Sequence, residues 1–316
     1  MASNSRAHGA GQIAGRGLAA AHDALVGAFY LALLHAPLQI ASAIQQRAQY
    51  AAFIPGEEPD PGRVALAVAL SGVTFLLGMA VVFVFPLVQG GILGLVRNGL
   101  ESPDRPPAPF WSYGRTYYFR LLGSQGLMLL VSLVVVIPAA AVAAGVAVQR
   151  AATSSGEPAA PGEINRQLLQ HPAMIVVLII GVMFTTASGM IYWVANCRVV
   201  ADGEGTLTAW RRAATFCREN FAAVLVLWLV NLVTGVALAP VGLLGQLGIV
   251  TDWWALAAVV IVYAALIGYW GVVLAGLCMA LYLARRKSVI PVGGDSSLES
   301  VAASSLTTAG GVGGVS

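Results

Sequence analysis

Within the long apolar segments of this 316-residue chain, the side chains that could take part in chemistry are few and scattered. His35 is the only plausible titratable group there, and it could bind a proton or a ligand. Asn231 is polar but uncharged, and such a side chain usually forms a hydrogen bond to a neighbouring helix. We therefore predict either a polar site at His35 or Asn231 or, as the favoured alternative, ordinary structural hydrogen bonds for both.

Arginines form the second group of candidates, because seven of them cluster with aromatic residues at the ends of apolar runs. A guanidinium group matches the geometry of phosphate, so such a cluster is typical of a site for anionic lipid headgroups. The alternative is that these are merely the basic and aromatic ends of membrane helices. The seven residues, called the arginine rim, are Arg97, Arg115, Arg120, Arg198, Arg211, Arg212 and Arg218.

Catalytic signatures are missing from the sequence. It contains no HExxH, nucleophile elbow, CxxC or phosphate-binding glycine loop, and its three cysteines have no metal or redox spacing. Its net charge of +3 comes from short basic clusters between apolar runs, which indicates headgroup contacts rather than nucleic-acid binding. We predict no catalytic residue, no metal site and no cofactor, hence a protein that is not an enzyme.

Six apolar runs must position these residues, and each is long enough to cross a bilayer as a helix, for which about 20 residues suffice. The composition agrees, since 58% of residues are hydrophobic and 10% charged, against about 25% charged in soluble domains. We predict an all-α polytopic membrane protein with spans at about 24–46, 64–96, 121–149, 173–197, 220–246 and 254–284.

Positive charges divide unevenly between the connections: 13 Arg and Lys residues on one side and four on the other. The positive-inside rule then places both termini in the cytoplasm, for an inner or plasma membrane protein built of three helical hairpins. Aromatic, basic segments within 99–120 and 202–221 predict amphipathic lead-in helices at the membrane surface. We expect disordered cytoplasmic segments at 1–16 and 288–316, flanking a six-helix domain at 17–287.

Two sequence segments also carry a resemblance. They are PLVQGGILGLVRNG (86–99), followed by the aromatic basic segment, and CRVVADGEGTLTAWRRAATFCRENF (197–221). Over most of residues 17–287 the chain resembles a broad group of uncharacterised prokaryotic multi-pass membrane proteins, including those similar to the membrane domain of some glycerophosphodiester phosphodiesterases. The resemblance implies a compact six-helix module with a basic cytoplasmic rim, and it transfers no functional residue.

Two functions remain open at this point. The leading hypothesis is a non-enzymatic integral membrane protein whose rim contacts anionic membrane lipids or a protein partner. The alternative is a small-solute transporter or permease, which requires a polar, water-accessible cavity near His35 or Asn231. The sequence leaves the oligomeric state undetermined. Gly90 and Gly94 are expected to mark a close helix contact rather than a substrate path.

Overall fold

The computed structural model describes residues 9–52, 60–104, 106–153, 172–246 and 253–289, which form eight α-helices with no strand among them. In chain order the helices are α1 (Ala10–Asp23), α2 (Val26–Ala52), α3 (Pro61–Glu101), α4 (Phe110–Thr153), α5 (Pro172–Asp202), α6 (Thr206–Glu219), α7 (Phe221–Gln246) and α8 (Trp253–Val289). The chain divides into two compact units, residues 1–282 and residues 283–316, and the second contains the last residues of α8.

Six of the described helices are long and apolar enough to cross a membrane. Their apolar stretches are 18 to 41 residues long, and a spanning helix needs about 17–25 residues. The prediction of an all-α polytopic protein with six spanning helices is confirmed. The stretches are Val26–Gln49, Pro61–Glu101, Phe110–Val142, Ile175–Asp202, Phe221–Leu238 and Trp254–Arg286.

The aromatic segment before the third span differs from its prediction. We expected a surface lead-in helix that ends near Arg120, but α4 runs from Phe110 straight into the apolar run. No proline lies between Phe110 and Arg120 to end a helix, and Gly114 is held in place by close contact with the backbone of Leu87. The second such segment does form its own helix, α6, which is separated from α7 by the single residue Asn220.

The N-terminal helix also begins earlier than expected, because α1 starts at Ala10, inside the segment predicted to be disordered. Its small residues allow close packing on α8: a Cβ added at Gly17 would lie 2.9 Å from the carbonyl oxygen of Gly276. The Gly and Ala residues that suggested disorder therefore serve here to let two helices approach closely. Residues 1–8 and 290–316, the remainder of the predicted disordered segments, lie outside the described residues.

The helices pack most tightly at one end of the bundle, called the rim end, formed by residues 86–101 of α3, 110–124 of α4 and 188–202 of α5. Leu93, Leu121 and Val199 are fully buried there. The opposite part of the same helices, called the far half, comprises residues 64–84, 129–142 and 175–187. Many of its large apolar side chains are exposed, as expected for helices that face hydrocarbon.

Close approach at the rim end depends on glycine. A Cβ added at Gly90 would lie 3.1 Å from the Cα of Gly114, and one added at Gly94 would overlap the side chain of Tyr113. Since both contacts join α3 to α4, the prediction that Gly90 and Gly94 mark a helix contact is confirmed.

Candidate functional site

The rim end is organised around the turn at residues 203–205, between α5 and α6. Gly203 has a φ of 65°, in the left-handed region that glycine adopts without steric cost. The turn directs the carboxylate of Glu204 back towards α5, where the side chain is only 10% exposed.

Two arginines bind this carboxylate. Arg198 donates to Glu204 through Nε at 2.9 Å and Nη2 at 2.7 Å, a bidentate pair, and Arg212 donates through Nη1 at 2.7 Å. The Arg198 guanidinium also lies 3.8 Å from the carboxylate of Asp202 and 5.5 Å from the ring centre of Tyr282. The hydrogen bond from Arg198 is the main reason that the pKa of Glu204 lies below its ordinary value. The charge of Arg198 is therefore balanced by acidic groups of the protein itself.

Two further rim arginines connect helices to one another. Arg97 donates through Nη1 to the carbonyl oxygen of Val200 at 2.8 Å, and this bond connects α3 to α5. Within α3 it also donates through Nε to Glu101 at 2.7 Å. Arg120 donates to the carbonyl oxygen of Gly203 at 2.6 Å, which ties α4 to the turn. With Arg198 and Arg212, four of the seven rim arginines hold the fold together.

The other three rim arginines are different. Arg115, Arg211 and Arg218 are exposed, and their guanidinium groups make no hydrogen bond or ion pair with any residue in the described part of the chain. Their charges are consequently available to a ligand.

Each of these three arginines has an exposed apolar neighbour. Phe119, four residues after Arg115, is 81% exposed, and Leu207, four residues before Arg211, is 65% exposed. Phe221, three residues after Arg218, is 60% exposed. A cation next to an exposed apolar side chain is the pairing found where a helix meets headgroups on one side and acyl chains on the other.

A buried polar layer lies beneath the rim, and the sequence reasoning missed it. The Tyr192 hydroxyl is 3.0 Å from Oε1 of Gln89 and 2.7 Å from Oε1 of Gln125, and it donates its proton to one of them. Trp210 donates from Nε1 to the hydroxyl of Ser124 at 2.9 Å. These contacts link α3, α4, α5 and α6. The available signal was the placement of Gln89 and Gln125 at the rim ends of two apolar runs.

The two polar residues predicted within the apolar runs have structural partners. The Nδ1 of His35 lies 2.8 Å from the carbonyl oxygen of Leu31, one turn earlier on α2. Asn231 accepts a hydrogen bond from Nε1 of Trp270 at 2.9 Å, which joins α7 to α8. Both residues thus make the kind of hydrogen bond that the favoured alternative expects.

A cavity of about 540 Å³ lies between α4, α5, α6, α7 and α8. Its wall is mostly apolar, with polar groups contributed by Asn231, Thr185 and Thr186. His35 is not part of the wall, so the structure places the two predicted polar residues in separate environments.

The cysteines are unpaired, and Cys197 and Cys278 are buried. Burial raises the pKa of Cys217 to about 12, so at neutral pH this thiol is protonated and a poor nucleophile. Within the described ranges, no group of three or more His, Cys, Asp or Glu side chains is placed to hold a metal ion.

Searches of protein-family models, curated proteins and solved structures gave no match to this chain. The resemblance to the membrane domain of glycerophosphodiester phosphodiesterases therefore stays a prediction.

Proposed function

We propose that this chain is a non-enzymatic integral membrane protein whose exposed rim arginines bind the headgroups of anionic lipids. The observation that carries the proposal is the set of three exposed arginines, Arg115, Arg211 and Arg218, each near an exposed apolar side chain. Guanidinium groups suit phosphate, and the apolar neighbours suit the acyl boundary just below it.

The proposal narrows the lipid-binding set from seven arginines to three. Arg97, Arg120, Arg198 and Arg212 already donate to protein acceptors, so a headgroup would have to compete with short internal contacts. Placement of the rim in the cytoplasmic leaflet of an inner or plasma membrane belongs to the same proposal. Anionic lipids and the excess of Arg and Lys both characterise that side.

The test compares lipid retention in two triple variants by native mass spectrometry, with anionic phosphatidylglycerol and zwitterionic phosphatidylcholine as probes. The test variant is Arg115→Gln, Arg211→Gln, Arg218→Gln. Since each basic residue near an anionic surface contributes about 1 kcal/mol, loss of three should weaken phosphatidylglycerol retention about a hundredfold. Phosphatidylcholine retention should change little.

The control variant places glutamine at three exposed threonines on the same helices, Thr116, Thr208 and Thr215. It should retain phosphatidylglycerol like the parent protein. Equal retention of phosphatidylglycerol by the parent protein and both variants would refute the lipid proposal. Loss of a stoichiometric co-purifying protein from the arginine variant, with lipid retention unchanged, would favour the protein-partner alternative instead.

The transporter alternative receives less support. It requires a polar cavity near His35 or Asn231, and the cavity that Asn231 lines is mostly apolar. The carbonyl oxygen of Asn231 is engaged by Trp270, and His35 does not line the cavity. These features suit an apolar occupant better than a hydrated solute.

A further inference from the structure

The cavity is long and narrow. Its lining positions on α5 run from Val177 to Val194, which is about 25 Å at about 1.5 Å per residue. A volume of about 540 Å³ spread over that length describes an elongated space, called the slot, rather than a rounded pocket. Gly181, Thr185 and Gly189 recur along it at four-residue intervals, so one face of α5 forms its floor.

The slot lies inside the spanning part of the bundle. Most of its wall comes from the candidate spans of α4, α5, α7 and α8, and Phe216 of α6 closes it at the rim end. Leu232 of α7 lines the slot and is 41% exposed, and the slot is open rather than enclosed.

The chemistry of the wall selects the occupant. An empty apolar space loses dispersion contacts on every side, and water within it finds too few polar partners. The polar residues Thr185, Thr186 and Asn231 lie near its middle, and the Asn231 oxygen already accepts a bond from Trp270. The acyl chains of bilayer lipids are apolar and abundant around the spanning helices, so they match the mostly apolar wall of the slot.

We infer that the slot binds one hydrocarbon chain of a bilayer lipid, held lengthwise between α5 and α7. This inference concerns the hydrocarbon chain of the lipid and not its headgroup. It is therefore independent of the proposal for the rim arginines. The side chains nearest the middle of the bound hydrocarbon chain are Thr185, Thr186 and Asn231, whereas Met190 and Trp193 line the slot towards the rim end.

Two glycines provide a matched pair of variants. A Cβ added at Gly189 or at Gly235 would lie more than 4 Å from any atom outside its own stretch of helix, so either position accepts leucine without a clash at Cβ. Gly189 lines the slot, whereas Gly235 is exposed on α7 and is not part of the wall. Gly189→Leu therefore fills the slot, and Gly235→Leu adds the same side chain elsewhere.

The experiment reconstitutes each protein in liposomes with a phosphatidylcholine that carries a diazirine midway along one acyl chain. After illumination, mass spectrometry of peptides locates the adducts. We expect adducts at slot-lining residues near the middle, Thr185, Thr186 or Asn231, in the parent protein. We expect at least a several-fold loss in Gly189→Leu and no loss in Gly235→Leu. Met128→Trp, which fills the slot from α4, should reproduce the loss and serves if Gly189→Leu fails to fold.

Three outcomes would overturn the inference. The first is labelling of the parent protein only at outward-facing residues such as Val233 and Ile180. The second is labelling at the slot that neither filling variant reduces. The third is a stoichiometric non-lipid molecule extracted from the purified protein and displaced by Gly189→Leu. The triple arginine variant should label the slot normally, so that failure of the rim proposal and failure of this inference are distinguishable.

Discussion

The two halves of the spanning helices are built on different principles. The rim end contains glycine contacts, buried amides and arginines bound to carboxylate or carbonyl oxygens. The far half of the same helices exposes large apolar side chains, among them Phe75, Ile137 and Ile180. Because hydrocarbon solvates an apolar helix surface as well as another helix does, apolar residues alone specify little about neighbours.

The difference teaches where the information for assembly lies. Insertion into the membrane depends on the total hydropathy of each apolar run, and the far half contributes much of that hydropathy. Helix order and register depend on contacts that only certain partners satisfy, such as the pairing of Arg198 with Glu204. We therefore expect substitutions at the rim end to affect stability strongly and matched substitutions elsewhere to be mild.

The largest effect is expected for Arg198→Gln. The side chains of Arg198 and Glu204 are 14% and 10% exposed, and removal of one partner from a buried ion pair costs about 3–5 kcal/mol. Arg211→Gln, at an exposed and unpaired arginine, should change the free energy of unfolding by less than about 0.5 kcal/mol. Unfolding in mixed micelles titrated with a denaturing detergent measures both.

A double-mutant cycle sharpens this result. Each single variant leaves one buried charge without its partner, whereas the double variant Arg198→Gln, Glu204→Gln removes both charges. Its loss of stability should therefore be smaller than the sum of the losses in the two single variants. Strict additivity would show that the bidentate pair does not couple the two residues, and the contrast between the halves would lose its main support.

An intermediate effect is expected from alanine at two glycines of α3. At Gly94 the added Cβ overlaps the Tyr113 side chain, and overpacking costs about 1–3 kcal/mol. At Gly72, in the far half, nothing lies within 4 Å, so the higher helix propensity of alanine should stabilise by up to about 1 kcal/mol. Opposite signs in the same unfolding assay support the comparison, and equal losses would contradict it.

The smallest effect concerns pH. The pKa of Glu204 is lower in the folded protein than its ordinary value of 4.5, so the unfolded chain takes up this proton first as pH falls. The contribution of Glu204 to stability is thus complete above pH 4.5 and is lost as pH drops through the folded pKa. Below pH 4.5, stability should fall more steeply in the parent protein than in Glu204→Gln, and parallel curves would exclude this role.

The sequence predicted the far half better than the rim end, for a physical reason. Hydropathy is a local property, so six spanning helices could be counted from the runs alone. The helices extend beyond the predicted spans: α3 continues past Arg97 to Glu101, and α5 continues past Arg198 to Asp202. Arginine is a good helix former, so a helix continues through it although the charge ends the apolar run.

The candidate site was predicted only as a group of residue types. Nothing in the sequence separates Arg97, which bonds to a carbonyl oxygen 103 residues away, from Arg115, whose guanidinium has no partner in the described part of the chain. Such contacts depend on the tertiary fold. The polar layer around Tyr192 was missed for the same reason, since glutamines on two helices become a network only when those helices meet.

The ion pair between Arg198 and Glu204 has a further consequence for biogenesis. A polytopic protein acquires its orientation while the nascent chain inserts, when Arg and Lys near helix ends act as signals and acidic residues contribute little. At that stage Glu204 has not yet been positioned by the turn at Gly203, and Arg198 acts as an unpaired charge. After the helices assemble, that charge is neutralised within the rim. Under the proposed cytoplasmic placement of the rim, we expect the same guanidinium to act first as a topological signal and later as a structural ion.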